Sequence, residues 1–203
     1  MGNEVKGAVR AGDHRHQGKI LLESSEIIFR GADFRLRIPF TEMCEVTAAD
    51  GELRIKTKSG VTVFAVGGTA EKWREKILHP KTRAQKLGVN AGTRVQLAGV
   101  FDADFLNELK ANKSAIVQND GFGSPEITFL AVAAKHSLAA IAKHAKEMKG
   151  AQALWVVYPK GKKEITEVDV ISAGRKTGLR DVKVVGFSAT HTALKFVLPL
   201  EKR

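Results

Sequence analysis

The chain contains a single cysteine, Cys44, so no disulfide can close within it and its framework must come from packing alone. Cys44 stands in the run Met43-Cys44-Glu45-Val46, which predicts a buried, inert thiol rather than a nucleophile. Long hydrophobic runs are also missing. None is longer than Phe129 to Ala134, far short of the roughly 18 residues a membrane helix needs. No charged start followed by an apolar stretch marks a signal peptide. The chain opens Met1-Gly2, but Lys6 stands where the myristoylation pattern requires Ser or Thr. The expectation is a cytoplasmic protein. Catalytic signatures are scarce as well: there is no Gly-x-Ser-x-Gly elbow and no Gly-x-x-x-x-Gly-Lys-[Ser/Thr] phosphate loop. No catalytic residue, cofactor or metal is therefore assigned. Asp13, His14 and His16 have the donor types of a zinc set, but two histidines two apart in a segment without periodicity lack fixed geometry and supporting partners.

What the chain does have is positive charge. Its 203 residues carry a formal net charge of +11, with 43% hydrophobic residues, ordinary for a globular protein. The surplus is uneven. Residues 1 to 80 hold 13 Lys and Arg against 11 Asp and Glu, while residues 81 to 203 hold 20 against 11. A basic second half favours acidic partners, and it also keeps a domain soluble.

Residues 1–17, rich in Gly, Ala and charge, show no periodicity and are expected to form a loose arm. From Lys19 short apolar or alternating runs follow: Ile20 to Glu23, Ile27 to Arg30, Phe34 to Phe40, Cys44 to Ala48, Leu53 to Thr57 and Val61 to Val66. Asp50-Gly51 and Ser59-Gly60 lie between runs, where tight hairpins turn. Thr69 then caps a helix whose Ala70, Trp73 and Ile77 share one face. The expectation for 18–79 is a small antiparallel β barrel or sandwich with a C-terminal helix. Residues 80–92 read as a connector with a short helix ending at Gly88.

From residue 93 to 203 strands and helices alternate. Strands are expected at Arg94 to Ala98, Ser114 to Gln118, Ile127 to Val132 and Ala153 to Pro159. Asp102 caps a helix burying Phe105, Leu106 and Leu109, and His136 to Lys149 forms another. Thr166, with Asp169 in the box position, caps a third helix that ends at Gly178. Val182 to Phe187 and Ala193 to Leu198 close the chain as an antiparallel pair. The pattern predicts a Rossmann-like three-layer sandwich, mostly parallel and ending in a hairpin. One link is awkward: Asn119 to Pro125 is short for a parallel crossover.

Two resemblances follow from these residues. Residues 18–78, through Leu-Leu-Glu-Ser-Ser-Glu-Ile-Ile-Phe-Arg, Phe-Arg-Leu-Arg-Ile-Pro-Phe and the helix around Trp73, resemble the pleckstrin-homology (PH) and GRAM superfold. Some members of that superfold bind phosphoinositides through basic residues in the first hairpin loop; that loop is read here as Ser24-Ser25-Glu26, which has no cation, so such a ligand is not expected. Residues 85–198 resemble the class I methyltransferase variety of Rossmann fold, and more closely a bacterial family of uncharacterised methyltransferase-like domains. The matching stretches are Leu87-Gly88-Val89, Gly92-Thr93-Arg94-Val95, Ala153 to Lys160, Gly178 to Val184 and Leu194 to Val197. Methyltransferases follow the first strand with a glycine-rich turn that supports S-adenosylmethionine, and place an acid after the second strand. Here the turn is Gly99-Val100-Phe101-Asp102, with one glycine, and Asp120 beside Gly121-Phe122-Gly123 reads as a turn. The uncharacterised family carries Trp-Ser-Gly before its last strand, where this chain has His191-Thr192-Ala193.

The functional expectation is a non-enzymatic binding or scaffold protein. Lys135, His136, Lys160, Lys162 and Lys163 cluster where strands end and helices begin, and they form a candidate site for an acidic or phosphate-bearing ligand. The alternatives are an enzyme using a nucleotide-like cofactor such as S-adenosylmethionine in an altered pocket, and nucleic-acid binding through the basic second half. The second lacks interleaved exposed aromatics, since Trp155 and Tyr158 read as strand core.

Overall fold

The computed structural model describes residues 3–117 and 124–202. The chain divides into two compact units, Met1–Lys81 and Thr82–Arg203.

Unit 1 is an antiparallel sheet of seven strands: β1 (Asn3–Ala11), β2 (His14–Leu22), β3 (Glu26–Gly31), β4 (Arg35–Pro39), β5 (Met43–Ala49), β6 (Glu52–Thr57) and β7 (Gly60–Ala65), in the order β4-β3-β2-β1-β7-β6-β5. The helix α1 (Ala70–Leu78) follows. Alternation decides the faces: Val9, Ile20, Leu22, Ile27, Phe29, Leu53, Ile55 and Phe64 point inward, and α1 lays Ala70, Trp73 and Ile77 on them. Six strands and the helix fall where the sequence puts them. Thr69 does not cap α1; its hydroxyl donates back to the Val66 carbonyl at 2.9 Å.

The expected loose arm is instead β1, a strand inside the sheet. It pairs with β2 from Asn3↔Leu22 to Ala11↔His14 and with β7 from Ala8↔Ala65 to Ala11↔Thr62. From Ala8 to Ala11 it is paired on both sides, and Val9 is fully buried, so weak side-chain patterning is overridden by two ladders. The first hairpin is accordingly β1–β2, turning at Gly12-Asp13 between Arg10 and Arg15, and Ser24-Ser25 belongs to the second. Cys44 is exposed rather than buried, because a bulge between Met43 and Glu45 breaks the alternation of β5 there. The His16 ring stacks on Phe34 at 4.3 Å.

Unit 2 contains α2 (Arg83–Lys86), β8 (Arg94–Ala98), α3 (Ala103–Ala111), β9 (Ala115–Ile116), β10 (Ile127–Ala131), α4 (Ala140–Glu147), β11 (Ala153–Pro159), α5 (Glu167–Lys176), β12 (Arg180–Gly186) and β13 (His191–Val197). The sheet order is β12-β13-β11-β10-β8-β9. β9, β8, β10 and β11 run parallel, and β13 lies antiparallel between β11 and β12. Both faces are covered. On one, Leu87, Val89, Phe105 and Leu109 pack on Val95, Phe129 and Trp155; on the other, Leu138, Ile141, Ile165 and Val170 pack on Leu130, Leu154, Val156 and Phe196. This is a Rossmann-like three-layer α/β sandwich. β11, apolar at consecutive positions, is buried from Ala153 to Tyr158, as a strand covered on both faces must be.

Two expectations change. The expected connector 80–92 mostly belongs to this core: Leu87 and Val89 are fully buried, and the Trp155 indole N–H donates to the Leu87 carbonyl at 2.9 Å. The awkward link between the second and third strands arises because β9 and β10 are not neighbours; β8 lies between them. β9 is two residues long rather than the expected five from Ser114 to Gln118. Residues 118–123, including Asp120 and Gly121-Phe122-Gly123, lie outside the described residues. The expected helix from His136 begins as a 3-10 turn over Lys135–Ala139 before α4.

Candidate functional site

The chain adds β9 on one side of β8 and then returns to add β10 on the other, so the strand order reverses between β8 and β10. The segments leaving those two strands diverge and open a crevice of about 580 Å³. Its walls come from Val100 to Asp104 after β8, from Val132 and Ala133 after β10, and from the β12–β13 loop around Phe187 and His191.

One wall is aromatic. Phe101, half-buried, lies with its ring 5.7 Å from Phe105 and 6.2 Å from Phe187, and Phe105 meets Phe129 edge-on at 5.0 Å. Arg83 organises this wall. Its guanidinium sits 5.1 Å from the Phe105 ring and 4.8 Å from that of Phe187, and it donates to both Asp102 oxygens at 3.0 and 3.1 Å. Its Nε also donates to Glu108 at 3.1 Å. With 14% of its side chain exposed, Arg83 is a neutralised structural cation rather than a free anion receptor.

Asp102 caps α3 as the sequence predicts, accepting from the Phe105 N–H at 2.7 Å. Burial pushes its carboxyl up, but the hydrogen bonds from Arg83 and the Phe105 N–H outweigh that and hold it below the ordinary aspartate value. Gly99, the single glycine of the first turn, has φ +101°, and a Cβ there would stand 3.0 Å from the Ala131 Cβ. That glycine serves the approach of β8 to β10. Asp104, exposed, adds a further carboxylate, so the lining is more acidic than basic.

The five residues expected to bind an anion do not line this crevice. Lys135 is ion-paired with Asp169 at 2.6 Å. Hydrogen bonds from Lys135 and Thr166 bring the Asp169 carboxyl down to about 2. Lys160 donates to the Ser188 carbonyl at 2.8 Å, tying β11 to the β12–β13 loop. Lys162, Lys163 and His136 are exposed. Of the lysines at these strand ends, Lys135 and Lys160 are held by Asp169 and the Ser188 carbonyl. Arg83, Phe187 and His191 had no signal in the sequence, because Phe187 lies 104 positions beyond the arginine that donates to its carbonyl. The His191 ring contacts the Thr190 hydroxyl at 2.9 Å. Among the described residues no cluster of His, Cys, Asp and Glu could hold a metal ion, and no helix is long and apolar enough to cross a membrane.

No protein-family model and no curated protein matches the chain. Among solved structures, it is similar to the C-terminal domain of an unknown protein from Leishmania infantum at 10% identity and TM-score 0.33, over 37% of this chain and 78% of that one. It is similar to a TehB-like SAM-dependent methyltransferase from Corynebacterium glutamicum at 10% identity and TM-score 0.38, over 64% and 96%. A putative methyltransferase from Thermoplasma acidophilum is similar at 11% identity and TM-score 0.34, over 93% and 94%. Likeness at this level carries no functional argument, and the site has to be read from its own geometry.

Proposed function

We propose that unit 2 binds a small organic ligand in the crevice between β8 and β10, and that the ligand is a nucleoside-class cofactor such as S-adenosylmethionine, held in an altered pocket. The observation that carries this reading is the place of the crevice. It opens outside the carboxyl ends of parallel strands where their order reverses, the position at which open α/β sheets bind ligands. Its volume and its apolar walls with a few polar groups are those of a small-molecule site. Phe101, half-buried in the wall, suits a flat ring, and the exposed Asp104 favours a positive group, which S-adenosylmethionine has in its sulfonium and ammonium.

The first turn does not fit that cofactor in the way the methyltransferase resemblance implies. Gly99 is taken up by Ala131, and the free N–H groups at the start of α3 are already met in part by Asp102. No catalytic step is assigned to any residue. The same turn is what favours the scaffold reading, a Rossmann-like domain that has kept its crevice and lost its chemistry. Unit 1 we read as PH/GRAM-like, on its seven antiparallel strands and closing helix.

Calorimetric titration of the full chain with S-adenosylmethionine, S-adenosylhomocysteine and adenosine tests the ligand class. The expected result is binding of all three, tightest for S-adenosylmethionine because it alone carries the sulfonium charge, and weakened binding in Phe101→Trp, which narrows the crevice. No heat and no thermal stabilisation from any of the three at millimolar concentration would overturn the reading.

A further inference from the structure

The outer face of the unit 1 sheet carries a line of cations that the sequence does not reveal. Arg35 on β4 is paired with Arg30 on β3, Arg30 with Lys19 on β2, and Lys19 with Lys6 on β1. All four are exposed and stand on the solvent side of the pleat. Adjacent strands are about 4.8 Å apart, so this rung of four charges crosses roughly 14 Å of sheet. A second like-charge pair, Arg10↔Arg15, lies on β1 and β2.

Like charges placed directly opposite one another across strands destabilise a sheet. Glu23 and Glu26 line one shallow depression with Arg30 and Arg35, and Glu52 another with Arg10 and Arg15, but among the described residues only Glu4 closes an ion pair with the rung. Glu4 reaches Lys19 at 2.8 Å, while Lys6, Arg10, Arg15, Arg30 and Arg35 have no carboxylate in ion-pair range among the described residues. The contrast with the next rung is direct: Arg37, two residues from Arg35, is neutralised by Glu26 at 2.7 Å. Arg37 is balanced internally, whereas in the rung beside it Glu4 neutralises Lys19 and leaves Lys6, Arg30 and Arg35 for something outside the fold.

We propose that this rung is a docking surface for the phosphate backbone of double-stranded nucleic acid, read without sequence preference. A repeated anion is what a regular line of cations complements, and arginine forks grip phosphate with two hydrogen bonds. Single strands are disfavoured, because the rung is flanked by the aliphatic Leu21 and Ile28 rather than by aromatic stacking platforms. An anionic bilayer is disfavoured too. Leu78, on α1, is the sole exposed large hydrophobic among the described residues of unit 1, so this face offers nothing to insert below the headgroups.

The test is fluorescence anisotropy of the full chain with a labelled random-sequence DNA duplex across a salt series, comparing wild type, Arg30→Gln/Arg35→Gln and Lys162→Gln/Lys163→Gln. Each phosphate contact contributes about 0.9 to the slope of log K against log salt. The unit 1 variant is expected to flatten the slope by roughly 2 and to weaken binding at least about tenfold at low salt. The unit 2 variant, which removes as many charges, is expected to keep the wild-type slope. The Arg30→Gln/Arg35→Gln variant should melt no lower than wild type, since it relieves repulsion on an exposed face. An unchanged slope in that variant, a loss caused by the unit 2 variant, or binding to phosphatidylserine vesicles without binding to the duplex would each overturn the proposal.

Discussion

Gly174 sits inside α5, where glycine ordinarily costs a helix about 0.5–1 kcal/mol relative to alanine. Helix propensity alone therefore says that Gly174→Ala stabilises the protein. The packing says the opposite. A Cβ at this position would lie 2.7 Å from Cδ1 of Phe196 and nearer still to Cε1 and Cζ, and Phe196 is fully buried near the end of β13. Gly174 is buried on α5 and Phe196 is part of the core between that helix and the sheet, so the ring can give way only by displacing packed neighbours. Overpacking of this kind costs about 1–3 kcal/mol, so the net expectation is a loss of roughly 1–2 kcal/mol after the propensity gain. The chain has two tryptophans, one per unit, and in a Trp73→Phe background the fluorescence of Trp155 follows unit 2 alone through urea unfolding. The double variant Gly174→Ala/Phe196→Leu should recover part of the loss, because the smaller side chain makes room for the methyl group, giving a coupling of about 1 kcal/mol. Gly174→Ala variants that unfold at higher urea, or strictly additive effects in the double variant, would refute the close-approach argument.

Removing the cation that organises the crevice wall gives a second expectation. Arg83→Met takes from Asp102 and Glu108 their shared cation and leaves each with one backbone N–H, of Phe105 and Ala84; because those carboxylates are 44% and 31% exposed and can rehydrate, the cost should be about 1–3 kcal/mol, with Asp102 titrating at higher pH by NMR. His144 supplies a pH dependence. Burial holds its imidazole below the ordinary 6.5, Glu147 offsets this in part and Lys143 adds to it, so as pH falls through 6.5 the unfolded chain takes up the proton first. Stability should be highest above that value and decline toward pH 5, and His144→Gln should flatten this part of the curve in urea titrations.

How much of this could be read beforehand depended on whether the signal was local. The Thr166–Asp169 capping box is complete in the structure, with Asp169 N–H donating to the Thr166 hydroxyl at 3.2 Å, because a cap involves residues three apart. The same holds for Asp102 on α3 and for the buried face of Ala70, Trp73 and Ile77. Long apolar strands such as β11 were equally legible. The misreadings of β1 and Cys44 have the opposite character. β1 has little pattern of its own and is a strand because β2 and β7 flank it. Cys44 turns outward at a bulge set by pairing with β6.

Chain order set the two-part plan, the strand and helix periods and the caps of α3 and α5. Those depend on neighbours within a turn or a pleat, and chain order specifies such neighbours directly. Tertiary structure alone decided which charges meet. It neutralised Lys135 with Asp169, placed Arg83 between Asp102, Glu108 and two phenylalanine rings, and lined Arg35, Arg30, Lys19 and Lys6 across four strands of the half of the chain with the smaller charge surplus. Coulomb interactions depend on distance in space, and strand register brings together cations that lie far apart in the chain.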